Sequence, residues 1–198
     1  MKCSNPAIYL ALISAALVFV HCLPEESSEN SGGGFDIAEE ECVPGVDPEC
    51  PLDCEDIDTW PSTWLDESEE VLQQVNDVRA QGAVCGGEEM APAKSVAIDS
   101  ALEEAARCHA LDMAEQDELG HDGSDGSDEV ERAADAGYPS EYVGENLAAG
   151  QSSAAVVVDA WLESETHCEN LMHEHYEDTG VAVVQLKGRM YWVQIFGR

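Results

Sequence analysis

The sequence predicts an α+β fold, and three observations carry that prediction. Apolar residues recur at helical spacing through the first half of the folded region. Two β-rich runs stand together at the C-terminal end, and an acidic stretch poor in apolar residues precedes everything else. Helices gathered first and a hairpin gathered last suggest layered packing of helices on a sheet rather than alternating βαβ units.

The chain opens with a segment that does not belong to the fold. Ala7 to Val20 is an unbroken run of apolar and small residues after a lone Lys2. It is too short to span a bilayer and fits a secretory signal, so residues 1–22 read as a leader. Cys22 ends the run and is followed by Leu-Pro-Glu-Glu-Ser-Ser-Glu-Asn-Ser-Gly-Gly-Gly. That pattern resembles a bacterial lipoprotein start, with Cys22 the candidate lipid anchor, although His21 stands where processing favours a small residue. Residues 23–64 read as an acidic linker rich in Ser, Gly and Pro, with too little apolar surface to offset chain entropy. Residues 65–198 form the predicted folded domain.

Order is expected to begin near Trp60 to Leu65. Asp66-x-x-Glu69 is a capping-box variant, and Val71, Leu72, Val75 and Val78 share one helical face up to Gly82. Ser100-x-x-Glu103 opens a second helix with the stripe Leu102, Ala106, His109 and Met113, ended by Gly120. Gly123 to Asp128 is loop by composition, and Glu129 to Ala136 is a short helix stopped by Gly137 and Pro139. Tyr142 to Ala148 suits a strand or an extended turn. Ser152 or Ser153 caps a third main helix running through Trp161. Thr179 to Leu186 and Arg189 to Phe196 make a hairpin about Lys187-Gly188.

Charge and cysteine content bound the function. The 42 acids against 8 bases give a formal net charge of −34, which repels phosphate backbones and excludes nucleic-acid binding as a role. Anionic membrane surfaces are disfavoured likewise, so membrane association is expected only through a lipid at Cys22. Eight cysteines in an exported chain read as disulfides. Setting aside Cys3 and Cys22 leaves Cys42, Cys50, Cys54, Cys85, Cys108 and Cys168, whose pairing spacing alone leaves open. Cys50-x-x-x-Cys54 has no second Cys/His pair nearby at finger spacing, which argues against a zinc knuckle.

The chemistry-bearing residues concentrate between His121 and Asn170. Here stand His121, Arg132, Gly137-Tyr138, Gly144-Glu145-Asn146-Leu147-Ala148, and Trp161-x-x-Ser164-x-x-His167-x-x-Asn170. Two histidines and a glutamate set among Gly, Ser and Asn suggest one polar site built from separate segments. Two neutral imidazoles, a carboxylate and a water make an open site for zinc or another divalent cation, and Glu145 could equally orient a histidine. Other candidates read as structural. His109 lies on an apolar stripe and suits a core histidine, and His173-Glu174-His175 suits an exposed loop. The loop from Asp122 to Glu131 lacks the glycine that a calcium loop needs at its sixth position, where Ser127 stands. Ser124 lacks the Gly-x-Ser-x-Gly context of an activated nucleophile. Trp161, Trp192 and Phe196 suit the core.

Together with Tyr191-Trp192-x-Gln194-x-Phe196-Gly197 and Asn76-x-x-Arg79, this ordered set resembles the CAP superfamily of sperm-coating-protein-like extracellular domains, most closely its bacterial secreted members. The resemblance covers roughly residues 68–198. It implies an α-β-α sandwich with a three-stranded antiparallel sheet between helical layers. It also implies a large cleft holding two histidines able to bind zinc or another divalent cation, matched here by His121 and His167, with Glu145 as the first cleft glutamate. The second glutamate falls to Glu163 or Glu165, with Glu163 favoured, because Ser164-Glu165-Thr166-His167 replaces the bacterial Ser-Pro-Gly-His. From similar sequences the resemblance further implies a Cys85–Cys168 disulfide, leaving Cys108 to pair with Cys42, Cys50 or Cys54. The expected protein is a secreted or surface-tethered binding module whose ligand would be a lipid, a sterol or an envelope glycan. The alternatives are a metal-assisted peptide or ester hydrolase with Glu145 as catalytic base, and a structural envelope or defence protein with a vestigial cleft.

Overall fold

The computed structural model describes residues 52–198. The leader, Cys22, Cys42, Cys50 and most of the expected linker lie outside the described residues. From Asp53 onward the chain is organised by its own side chains. Trp60 donates its indole N–H to the Asp53 carbonyl and meets Trp64 edge to face at 5.6 Å. A 3₁₀ turn at Ile57–Thr59 leads into α1 (Ser62–Gln81).

Helix α1 starts earlier than its capping-box pattern predicts. Its N-cap is Pro61, without a side-chain cap, so Asp66 and Glu69 lie inside the helix. The tryptophan pair fixes the start in place of a cap. The predicted apolar face is real: Val71 and Val75 are fully buried. A short hairpin follows, β1 (Ala83–Cys85) and β2 (Glu88–Met90), turning at Gly86-Gly87. Its strands of three residues each are too short to carry an alternation signal in the sequence.

The central sheet runs in the order β3-β5-β6-β4. Strand β4 (Val143–Ala149) pairs antiparallel with β6 (Arg189–Gly197), which pairs antiparallel with β5 (Asp178–Leu186). These are the three antiparallel strands that the family resemblance implies. A two-residue strand, β3 (Ala97–Ile98), adds a parallel edge on β5, which hydropathy could not have revealed at that length. The β5–β6 turn is the expected one: Lys187 and Gly188 both take positive φ, as a two-residue hairpin of matching twist requires.

Residues of β5 from Thr179 to Val184 are all buried, so both faces of the sheet are covered. On one face Gly180, Ala182 and Val184 align with Ile195, Val193 and Tyr191, and with Glu145 and Leu147 of β4. Helix α2 (Ser100–Gln116) packs there, so closely that a Cβ on Gly180 would strike the Leu102 backbone. The N-cap of α2 is Asp99, one residue before the predicted Ser100, with its carboxylate accepting from the Ala101 and Leu102 amides. On the other face lie α1, α4 (Ala154–Glu163) and α5 (Glu165–Met172). Ser153 is the N-cap position of α4, as expected, but its hydroxyl makes no cap bond. Glu67 of α1 does that work, accepting from the Ala154 amide at 2.7 Å and placing a negative charge at the helix N-terminus. Trp161, Trp192 and Phe196 are core residues.

Arg79 of α1 ties the layers together. It is fully buried and donates to the carbonyls of Lys94, Leu171, His173 and Tyr176, at 2.7 to 3.1 Å. Burial lowers its pKa, yet a guanidinium remains charged. Four neutral carbonyl dipoles, rather than a carboxylate, hold this cation. Disulfides add two further ties. Cys85–Cys168 is formed, and Cys54 proves to be the partner of Cys108.

An ammonium has three donors on a flexible stem and cannot match a planar guanidinium spanning four carbonyls. Arg79→Lys is therefore expected to destabilise the fold by roughly 3 kcal/mol. A urea-denaturation midpoint indistinguishable from the unsubstituted protein would contradict this reading.

Candidate functional site

The site forms around β4, the strand at the sheet edge opposite β3. Alternate residues of β4 face opposite layers, so Glu145 points toward α2 while Gly144 and Asn146 face α5. Glu145 is buried, its side chain only 1 % exposed, and both its carboxylate oxygens are engaged. His121, in the loop after α2, places Nδ1 at 2.8 Å from Oε1. Arg132 donates from Nη2 to Oε2 at 2.8 Å. Arg132 comes from α3 (Glu129–Asp135), where Asp128 and Glu131 form a complete capping box. Its other terminal nitrogen donates to the Ser127 carbonyl, fixing the loop before α3.

Because a carboxylate only accepts, His121 Nδ1 carries the proton and Nε2 is left as the free nitrogen of the neutral ring. The hydrogen bond that His121 donates to Glu145 raises its pKa above the ordinary imidazole value, against a smaller desolvation effect. His167 behaves oppositely. Burial lowers its pKa, and the charge on His121 lowers it further, so the two rings share one electrostatic environment. Glu145 therefore orients and charges His121.

An amide network holds the second histidine segment against the first. Asn146 donates to the His167 carbonyl, while Asn170 donates to the Glu145 carbonyl and to Asn146 Oδ1. These bonds dock α5 onto β4 and protect an otherwise open strand edge. The disulfide at Cys168 anchors the same helix to β1. Helix α5, only eight residues long, stands where the residue pattern assigns no element.

Glu163 and Glu165 are both exposed, and among the described residues neither bonds to His121 or His167. Glu165 instead lies over the β1–β2 turn, where a Cβ on Gly86 would collide with it. His109 is a buried core histidine, as its stripe predicts, with Nε2 2.9 Å from the Gly120 carbonyl and 4.0 Å from Glu145. His173 bonds the Tyr142 hydroxyl and accepts from the His175 amide, while His175 is exposed. The residue whose importance sequence reasoning missed is Arg132, quoted in the motif series but given no role. A signal was present: it is the single Lys or Arg between Arg107 and Lys187.

Among the described residues no group of three or more His, Cys, Asp or Glu side chains converges to hold a metal ion. With Glu145 committed to Arg132 and His121, what remains is a pair of imidazoles. A depression of about 510 Å³ flanks His121 on the α2 side, walled by Asp112, Glu118 and Asp122.

A sheet between two helical layers, with a His/Glu site at its β4 edge, defines a helix-sheet-helix module of the cysteine-rich secretory type. The model of the CAP family, the cysteine-rich secretory protein family, matches residues 72–196, and the chain belongs to this family. The YkwD protein of Bacillus subtilis (strain 168) is 29% identical over 105 residues, which is 53% of this chain and 40% of that protein. The chain thus spans less than half the length of that relative. Among solved structures, an SCP-domain extracellular protein of Bacillus anthracis is similar with a TM-score of 0.60 and 22% identity, covering 75% of this chain and 44% of the other. An outer surface protein of Borrelia burgdorferi gives 0.59 and 21%, covering 67% of this chain and 92% of the other. At such identities these two structures speak for the fold.

The opposed shifts predict a titration order. His167 should lose its proton first as pH rises, and His121 last, with the ordinary imidazole value between them. The protonated His121–Glu145 pair stabilises the fold fully below the unfolded imidazole pKa, and this contribution is lost as pH rises through the folded value. NMR titration of the two Cε1–H signals would show this order. In Glu145→Gln the His121 value should fall, with a stability loss of about 3 kcal/mol from the stranded Arg132. Superimposable His121 curves in the two proteins would refute the assignment.

Proposed function

We propose that this chain is an exported CAP module that binds a ligand in its β4-edge cleft, with His121 and His167 able to hold a divalent cation there. The observation that carries this reading is the double engagement of Glu145. A carboxylate bonded at one oxygen to His121 and at the other to Arg132 is built to orient an imidazole. With its side chain 1% exposed and each oxygen already held by a cation or imidazole, it has little access to a water, so a hydrolytic role for Glu145 as base gains no support.

The histidines suit cation binding in complementary ways. Glu145 turns His121 so that Nε2 is free, and burial keeps His167 in its neutral, ligating form. A bound zinc would supply a Lewis-acidic anchor for an oxygen or nitrogen of the ligand, with waters completing its coordination. The acidic surroundings favour cation approach. Export is supported by the apolar leader and by the two disulfides, which suit an oxidising compartment. Among the described residues no helix is long and apolar enough to cross a membrane. For the ligand, lipid, sterol and envelope glycan all remain within the reading, and tethering through a lipid on Cys22 belongs to it as well.

Calorimetric titration with zinc is the direct test. The unsubstituted protein should bind zinc saturably, more weakly as pH falls and protons compete for the imidazoles. His121→Ala together with His167→Ala should abolish that binding while circular dichroism stays unchanged. Zinc uptake that survives the double substitution would remove the cation from the proposal.

A further inference from the structure

The loop that carries His121 makes few main-chain bonds. Helix α2 ends at Gln116, with Asp117 as its left-handed cap, and the amides of Asp117 and Glu118 both return to the Met113 carbonyl. The next backbone bond belongs to Gly123, whose amide donates to the Ser127 carbonyl. From Leu119 to Asp122 no main-chain group bonds to another among the described residues. One side chain reaches into this gap. His109 of α2 has Nε2 2.9 Å from the Gly120 carbonyl, eleven residues along the chain. A carbonyl only accepts, so Nε2 carries the proton and donates. The helix thus holds the loop that leaves it.

Core packing does not account for an imidazole at this position. His109 is 1% exposed, and its Nδ1 has no hydrogen-bond partner among the described residues. The Gly120 bond is therefore the ring's single hydrogen bond. An apolar side chain would fill the same space without burying an unpaired nitrogen. The surroundings point the same way. His109 Nε2 lies 4.0 Å from Glu145 Oε1, the oxygen that accepts from His121 Nδ1 at 2.8 Å. The peptide before His121 and the ring of His121 are thus held at neighbouring buried points. His121 needs both holds, because its own side chain is 57% exposed and packing does little to fix it.

We propose that His109 is a positioning residue for His121. By holding the Gly120 carbonyl it sets the main chain from which His121 reaches Glu145, and so the direction in which His121 Nε2 is presented. Glu145 alone fixes the ring only when the main chain delivers it to the carboxylate. Its consequence for zinc rests on the reading of the cleft as a cation site, whereas the orientation of the ring does not.

Two substitutions separate the hydrogen bond from the packing. In His109→Gln the side-chain amide N–H can stand in for Nε2 and donate to Gly120, whereas His109→Met fills the space without a donor. Nitrogen NMR of the imidazoles in the full, disulfide-bonded chain reads the orientation, at a pH above the His121 titration. In the unsubstituted protein His121 should show one tautomer, protonated at Nδ1 and bare at Nε2. His109→Met should mix the two tautomers and raise the Kd for zinc, measured by calorimetry, about tenfold. His109→Gln should restore both readouts, which a loss of stability alone would not move in folded protein. A single Nδ1–H tautomer retained in His109→Met overturns the proposal, and so does an equal loss in His109→Gln. The unsubstituted protein supplies a further measurement that needs no variant: the His109 Nε2–H should be protected from solvent exchange. A proton exchanging as fast as that of a free imidazole also overturns the proposal. Absence of zinc binding in the unsubstituted protein would remove the cation reading, and the tautomer comparison would still decide the role of His109.

Discussion

One buried guanidinium holds this fold together. Arg79 reaches from α1 to the carbonyls of Lys94, Leu171, His173 and Tyr176, joining the segment before β3, the end of α5 and the approach to β5. Those carbonyls lie where regular secondary structure stops, and Arg79 supplies donors that no helix or strand partner provides there. In a chain with 42 acids, a buried cation held by dipoles alone is a specific device. It leaves no carboxylate in the core beside it, and it is insensitive to the pH at which carboxylates titrate. Helix α5, which carries His167 and Asn170, keeps its place because its C-terminal carbonyls end on this group.

Arg132 repeats the solution on the other face of the sheet. Glu145 is buried on β4, and an isolated carboxylate there would be costly to keep charged. Arg132 and His121 each take one of its oxygens, turning a liability into a rigid support for an imidazole. The same arginine holds the Ser127 carbonyl, so the loop before α3 and the histidine after α2 are tied through one side chain. Arg107 completes the pattern by clasping Cys54 beside the Cys54–Cys108 disulfide. Three of the chain's eight bases are thereby placed inside, which concentrates its acidity on the surface.

A surface dominated by carboxylates attracts positive charge, while each interior arginine is already neutralised or satisfied by dipoles. At the β4 edge His121 and His167 share one electrostatic environment, and acidic side chains line the cavity between α2 and α3. Arg132 bonds Glu145 and also lines that cavity.

Much of this was legible in the sequence, because it follows from local pattern. The stripes of α1 and α2, the short α3 and the Lys187-Gly188 hairpin are set by spacing and backbone preference, which neighbours in the chain determine. Motif order was enough to nominate His121, Glu145 and His167. Other features depend on residues far apart in sequence. The start of α1 is fixed by a tryptophan pair rather than by its capping box, α4 is capped by Glu67 from another helix, and β3 exists because β5 lies beside it. The role of Glu145 is the clearest case. Sequence supplied a carboxylate and left base, ligand and support equally open. Only the fold placed Arg132 and His121 on its two oxygens, and that occupancy, rather than residue type, decides what a carboxylate can do.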